Sequence, residues 1–183
     1  MKNLVEQIEE LNEDLAKQLP AEIIKVFGKS IQDLKAKMPE GCSIKVGEKF
    51  PDFSMPDATN TLVHIKDLLK HGKVIIAFFR GSWCPYCNLE LKALQNSLNQ
   101  ITERKATLLA VTPQVPDYNK KLKSSHQLGF KLLTDKDNVL AKQLGISFDI
   151  LDYIIPAFDS LGILLSDYNG YERNVLPVPA VFV

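Results

Sequence analysis

The length, composition and charge of the chain narrow the classes of protein to which it can belong. Its 183 residues are 45% hydrophobic, and 22 lysines and arginines balance 22 aspartates and glutamates. The chain can therefore bury one substantial core, and it has no basic excess for binding nucleic acid. No apolar run approaches the roughly 18 residues of a membrane-spanning helix, and acidic residues interrupt the start where a signal peptide is apolar. We expect a single-domain cytoplasmic protein that binds neither nucleic acid nor a membrane.

Residues 1–40 are predicted to form a helical extension that precedes the main domain. Leucine and isoleucine recur at helical spacing between residues 3 and 19 and again from Ala21 to about Met38. Pro20 separates the two helices, and Pro39-Glu40-Gly41 is expected to end the second. Two interpretations stay open. The pair packs on the domain that follows it, or it provides the contact surface of a homodimer.

Residues 45–183 alternate between strand and helix patterns. An irregular segment at 50–56 precedes the following predicted elements: a strand at 61–65, a short helix at 67–70, a strand at 74–79, a helix from residue 88, a strand at 106–111, a helix at 117–128, a strand at 130–133, a helix that includes residues 139–144, and a final strand from residue 180. This alternation predicts an α/β fold with parallel strands joined by right-handed crossovers.

Residues 146–175 are an insertion with a weaker pattern. The segment is rich in large apolar side chains, but Pro156 and Gly162 interrupt it. We predict one broken helix followed by a turn at 167–171. This insertion either covers the active site or a partner surface, or it fills the core.

The most informative stretch is Phe78-Phe79-Arg80-Gly81-Ser82-Trp83-Cys84-Pro85-Tyr86-Cys87, which follows a buried strand and precedes an amphipathic helix. Because a helix N-terminus favours a thiolate, Cys84 is predicted to be the nucleophile and the more acidic and more exposed thiol. Arg80 is the nearest candidate cation. Cys87 lies within one turn, where it can attack a mixed disulfide or a sulfenic acid on Cys84.

Two structural explanations compete with a redox dithiol. A zinc site would need further ligands at suitable spacing, which His64, His71, His126 and Cys42 do not supply. We therefore expect no metal and no cofactor. The pair could also be two inert buried thiols. Cys42 is more than 40 residues from the pair and is expected to be an ordinary half-buried thiol, with a resolving cysteine as the alternative.

The motif also resembles known redox proteins. Trp83-Cys84-Pro85-Tyr86-Cys87 resembles the W-C-x-x-C of thioredoxins and contains the C-P-Y-C of glutaredoxins. Together with segments 45–53 and 176–180, residues 79–91 resemble the peroxiredoxin-like branch of the alkyl hydroperoxide reductase/thiol-specific antioxidant family. The resemblance implies a thioredoxin-like fold, in which a central mixed sheet is flanked by helices, and thiol-based antioxidant chemistry.

The resemblance has further implications for the site and for the end of the chain. It implies that Trp83, Pro85 and Tyr86 border the substrate and that a cis Pro179 places the Val178 backbone beside a bound disulfide. Pro177 is expected to be trans. Family members continue beyond the last strand, so the resemblance implies that this chain is a truncated form or has lost its C-terminal edge elements.

Three positions depart from the related families. The peroxiredoxins carry a threonine where this chain has Gly81 and an arginine where it has Pro179, and the thioredoxins carry a buried aspartate where it has Ala77. The first two departures favour disulfide exchange, whereas the overall resemblance favours peroxide reduction. Three functions stay open: a hydroperoxide reductase recycled by thioredoxin, glutaredoxin or glutathione, a disulfide oxidoreductase, and a non-enzymatic redox sensor.

Overall fold

The computed structural model describes residues 2–37, 43–171 and 174–183. Cys42 and the predicted end of the second helix lie outside these ranges. Within them, no helix is both long and apolar enough to cross a membrane. The strands are β1 (Ser54–Pro56), β2 (Leu62–His64), β3 (Lys73–Phe78), β4 (Ala106–Thr112), β5 (Lys131–Thr134), β6 (Ser147–Asp149), β7 (Val175–Pro177) and β8 (Ala180–Phe182).

The helices alternate with these strands along the chain. They are α1 (Leu4–Gln18), α2 (Ala21–Lys37), α3 (Ile65–Leu69), α4 (Pro85–Asn96), α5 (Leu98–Glu103), α6 (Pro116–Ser125), α7 (Val139–Gln143), α8 (Ile155–Ser160) and α9 (Leu165–Asn169), with short 3₁₀ turns at Lys136–Asn138 and Asp152–Ile154. The single helix predicted after the cysteine motif is divided at Ser97, which ends α4 and begins α5.

The central sheet has four strands in the order β5-β4-β3-β8. Strands β3, β4 and β5 are parallel, and β8 runs antiparallel to β3 with Ala180 opposite Phe78. Two smaller antiparallel pairs, β1 with β2 and β6 with β7, lie outside this sheet. The predicted α/β fold with a central mixed sheet is confirmed.

Alternation along β3 and β4 divides the core between the two faces of the sheet. Phe78, Leu109 and Val111 belong to one buried cluster, whereas Leu108 and Ala110 belong to a second. Successive side chains of a strand point to opposite faces, so a continuous apolar run buries both faces. The second cluster also contains Cys84 and Cys87, which places the dithiol on that face.

The segment 146–175 differs from the single broken helix that the sequence predicts. It begins with β6, which pairs with β7, and continues through two short helices. Pro156 lies in the first turn of α8, where a proline needs no amide hydrogen bond, so it starts a helix rather than breaking one. The predicted turn at 167–171 is helical through Asn169 and ends at Gly170, whose φ of 70° forms a left-handed cap.

The N-terminal helices pack on their own domain. The ring of Phe27 in α2 meets that of Phe158 in α8 edge to face, with centroids 5.3 Å apart. The Tyr153 hydroxyl donates to Asp33 Oδ2 at 2.7 Å. These contacts between the extension and the 146–175 segment favour packing of the extension on the domain that follows it. A homodimer remains a prediction.

Candidate active site

The loop between β3 and α4 is held in place by hydrogen bonds on several sides. The Cys84 amide donates to the Gly81 carbonyl at 3.1 Å, so residues 81–84 form one tight turn. The Ser82 amide donates to Gln114 Oε1 and the Asn88 side chain donates to the Ser82 carbonyl, each at 2.9 Å. These bonds fix the backbone from which the cysteine side chain extends.

Cys84 lies at the N-cap of α4, and Pro85 is the first residue of the helix. The Sγ atom of Cys84 accepts hydrogen bonds from Arg80 Nη2 at 3.0 Å and from the Cys87 amide at 3.4 Å. The sulfur therefore meets a guanidinium, a backbone N–H and the positive end of a helix, all of which stabilise a negative charge.

These contacts separate the acidities of the two thiols. A hydrogen bond from the Cys87 side chain and the positive charge of Arg80 lower the pKa of Cys84 to about 6. The same hydrogen bond and burial raise the pKa of Cys87 above its ordinary value. The arrangement gives Cys84 as thiolate and Cys87 as thiol at neutral pH, in the order that the helix-terminus argument predicts.

The prediction that Cys84 is the more exposed thiol is wrong. Cys84 has an exposed fraction of 0% and Cys87 of 2%. The indole of Trp83, packed edge to face on Phe158 with centroids 5.5 Å apart, and the N-terminal helices surround the cap of α4. Sequence reasoning did not find the part that the N-terminal helices play in this covering, because they are distant from Cys84 along the chain.

A cavity of about 620 Å³ adjoins Cys84. Arg80, Trp83 and Pro85 border it beside the cysteine, and its other walls are mainly apolar side chains of α1, α2 and the 146–175 segment, among them Leu15, Ile24, Phe27, Ile31, Ile154 and Phe158. The insertion thus covers the site, one of the two roles predicted for it. Cys84 thus faces a largely apolar space that is wide enough for an organic molecule.

Comparison with known proteins identifies the family. The model of the AhpC/TSA family matches residues 46–183. The chain belongs to the AhpC/TSA family. A bcp-type peroxiredoxin of Coxiella burnetii is 30% identical over 107 residues, which cover 58% of this chain and 70% of the relative. As a member of the family, the chain is a thiol-dependent oxidoreductase, as the motif predicts.

Solved structures show the same fold. Peroxidoxin BcpB of Mycobacterium tuberculosis has a TM-score of 0.57 at 24% identity, covering 59% of this chain and 70% of that protein. A bacterioferritin comigratory protein of Xanthomonas campestris, solved to examine its alkyl peroxide reduction activity, has a TM-score of 0.54 at 13% identity, with 71% of each chain covered. The predicted thioredoxin-like fold is confirmed.

The space beside Gly81, where the resemblance to peroxiredoxins predicts a threonine side chain, is occupied by the indole of Trp83. A Cβ at position 81 would lie 2.4 Å from Trp83 Nε1. Trp83 Nε1 and Arg80 Nε are both buried and have no hydrogen-bond partner among the described residues. An unpaired buried donor costs about 1–3 kcal/mol, so two of them beside a nucleophile need an explanation.

The predicted cis peptide bond before Pro179 is wrong: the described residues contain no cis peptide bond. The backbone passes directly from β7 into β8, the Val178 amide donates to the Ile146 carbonyl at 2.6 Å, and Ala180 pairs with Phe78. An X-Pro bond favours trans by about 0.5–1 kcal/mol, and here these pairings hold an extended segment. Val178 packs in the cluster on the other sheet face, and Pro179 is exposed.

Two further residues complete the surroundings of the site. The Tyr86 hydroxyl donates to Asn12 Oδ1 of α1 at 2.7 Å, and Tyr86 is 37% exposed. Gln114, which the sequence analysis missed, is fully buried and accepts from the loop amide of Ser82. Its signal was available: Gln114 is a polar residue two positions after the buried strand β4, where such a residue either forms a turn or holds a site in place.

Proposed function

We propose that this chain reduces organic hydroperoxides, with Cys84 as the attacking thiolate, Arg80 as the cation that stabilises it and Cys87 as the resolving thiol. The observation that carries the proposal is the 3.0 Å contact between Arg80 Nη2 and Cys84 Sγ at the edge of an apolar cavity. A lowered thiol pKa supplies the thiolate that attacks an electrophilic oxygen.

The proposed reaction has three balanced steps. The Cys84 thiolate attacks the terminal oxygen of R–O–OH, the O–O bond breaks, and the alkoxide takes a proton to leave as an alcohol, with Cys84 oxidised to sulfenic acid. The Cys87 thiol displaces hydroxide from that sulfur, which releases water and forms the Cys84–Cys87 disulfide. A thioredoxin-type dithiol then reduces the disulfide by two exchange steps.

The cavity supports an organic rather than an inorganic hydroperoxide. Its apolar walls can bury an alkyl or aryl group, and each 100 Å² of apolar surface removed from water contributes about 2.5 kcal/mol. Hydrogen peroxide has no group that gains from these walls. The bacterioferritin comigratory protein mentioned above, studied for alkyl peroxide reduction, is consistent with this choice.

Stopped-flow mixing of the reduced protein with cumene hydroperoxide and with hydrogen peroxide tests the proposal. Trp83 is the only tryptophan, so its fluorescence reports the oxidation of the adjacent cysteine. We expect the second-order rate constant to be about 10- to 100-fold higher for cumene hydroperoxide. If neither hydroperoxide reacts faster than a free thiol of equal thiolate fraction, while a small disulfide reacts readily, the protein is a disulfide oxidoreductase.

A substitution in the cavity wall provides a matched test of substrate size. Gly28 lies in α2, borders the cavity, and would have nothing within 4 Å of an added Cβ. It shares a helix face with Ile24 and Ile31. Gly28→Leu is expected to narrow the cavity and lower the rate with cumene hydroperoxide about tenfold, with hydrogen peroxide unchanged. Equal effects on both substrates would contradict an organic substituent in this cavity.

A further inference from the structure

The indole of Trp83 has an unusual position relative to the nucleophile. Residues 81–84 form a tight turn that the Cys84 amide closes on the Gly81 carbonyl at 3.1 Å. The ring folds back over this turn, so that Nε1 would lie 2.4 Å from a Cβ at position 81. The glycine therefore leaves room for the indole N–H one turn away from the reacting sulfur.

The contacts of the ring do not account for its nitrogen. The Trp83 ring centroid lies 5.5 Å from the Arg80 guanidinium carbon, and the ring also packs edge to face on Phe158. Phenylalanine could make both contacts without burying a donor. Nε1 is nevertheless buried, has no protein partner among the described residues, and belongs to a side chain that borders the same cavity as Cys84.

We propose that the indole N–H of Trp83 donates a hydrogen bond to the oxygens of a hydroperoxide bound at Cys84. The inference rests on the proposed function and assigns the substrate as the missing partner of Nε1. When the thiolate attacks, the O–O bond breaks and negative charge develops on the departing oxygen. A fixed donor stabilises that charge more strongly than the neutral ground state, and so it raises the rate of the chemical step.

Attack on a disulfide makes a different demand on the site. Its leaving group is a thiolate, whose charge is spread over a large sulfur atom and needs little help from a hydrogen-bond donor. The same Cys84 therefore gives two reactions, of which only one uses the proposed donor. Their ratio separates a role in peroxide chemistry from a role in packing.

The experiment compares full-length wild type with Trp83→Phe, which keeps an aromatic ring and removes the N–H. Rate constants for cumene hydroperoxide and for 5,5′-dithiobis(2-nitrobenzoate) are measured by quenching with an alkylating reagent followed by mass spectrometry, because the variant has no tryptophan to follow. We expect the hydroperoxide constant to fall about 10- to 100-fold. The rate constant with the disulfide, and the rate of Cys84 alkylation at each pH, should change less than about twofold. Equal losses in both reactions, or no loss in either, overturn the inference.

Gly81→Ala provides a second test that leaves Trp83 in place. The added Cβ would force the indole away from position 81, so we expect the same selective loss for hydroperoxide. In the Trp83→Phe background, Gly81→Ala should lower the hydroperoxide constant no further, because both changes act on one hydrogen bond. Additive losses overturn the inference. If Trp83→Phe does not fold, Gly81→Ala alone decides: a loss shared with the disulfide reagent contradicts the role of the indole.

The two proposals fail in distinguishable ways. If wild type reacts with neither hydroperoxide faster than a free thiol of equal thiolate fraction, the proposed function itself is wrong. If wild type reacts rapidly and Trp83→Phe reacts equally rapidly, the proposed function stands and the role of the indole is wrong.

Discussion

Removal of the Arg80 guanidinium should make Cys84 markedly less acidic. Arg80→Met keeps much of the side-chain length and removes both the charge and the 3.0 Å hydrogen bond to Sγ. The hydrogen bond from Cys87 remains. The variant therefore removes the contribution of Arg80 to the lowered pKa of Cys84 and leaves the hydrogen bonds from Cys87 in place.

The expected magnitude follows from that contact. A hydrogen bond to a charged group contributes about 1.5–3 kcal/mol, and about 1.4 kcal/mol corresponds to a tenfold change in ionisation. The pKa of Cys84 should therefore rise from about 6 to about 7–8. At pH 7 the thiolate fraction would fall from about 90% to between about 50% and 10%, and the reaction with any electrophile would slow by the same factor.

Iodoacetamide alkylation over a range of pH values, with Cys84 and Cys87 separated by peptide mass analysis, measures this change directly. Arg104→Met is the matched control, because it removes the same charge from an exposed residue whose Nη1 donates to the Gln100 carbonyl. The control should keep the wild-type profile. An unchanged midpoint in Arg80→Met, or alkylation of Cys87 before Cys84 in wild type, would refute the reasoning.

Four other predictions concern the resolving thiol, two glycines and the pH dependence of stability. Cys87→Ser should leave a sulfenic acid on Cys84 after one equivalent of hydroperoxide, so intact mass should show one added oxygen instead of the loss of two hydrogens. Gly170→Ala should lower the free energy of unfolding by about 1–3 kcal/mol, since φ is +70° and the Cβ would lie 2.8 Å from Val115 Cγ1. Gly28→Ala, in a helix with open space, should raise it by about 0.5–1 kcal/mol in urea unfolding. The pKa of Cys84, about 6 when folded, lies below the roughly 8.5 of an unfolded cysteine, so the stability of the reduced protein should rise with pH across that interval and fall as pH drops through 6. Cys84→Ser should abolish that rise, and an identical slope in the variant would contradict the lowered pKa.

The central part of the fold could be predicted because its signals are local. The apolar runs at 74–79 and 106–111 match β3 and β4 within a residue or two, since both faces of these strands are buried. After Cys87 the spacing of apolar residues changes from that of a strand to that of a helix, and this change predicts α4. By contrast, β6 and β7 are three-residue strands, and one of them ends in Pro177. Such short elements carry no readable period, and only their pairing with each other defines them.

The chemistry of the site was likewise more predictable than its surroundings. The order of acidity between Cys84 and Cys87 follows from their places relative to one helix terminus, which the sequence contains. The burial of Cys84 depends on α1 and α2, and no local pattern gives the position of those helices. The trans bond at Pro179 was missed for a related reason: the fold-level analogy was applied to a segment whose backbone pairs with Ile146.

The covering of Cys84 divides the catalytic cycle into two halves with different kinetic demands. A small hydroperoxide can enter the cavity beside Cys84, but a protein dithiol is too large to bring its sulfur within bonding distance of about 2 Å while α1 and α2 border that cavity. α1 has no fully buried side chain and α2 has only Ser30, so these helices can separate from the domain at modest energy. Oxidation by a small hydroperoxide should therefore increase in proportion to its concentration, whereas reduction should reach a ceiling set by the opening of the helices. Raising the reductant above that point would no longer shorten the cycle.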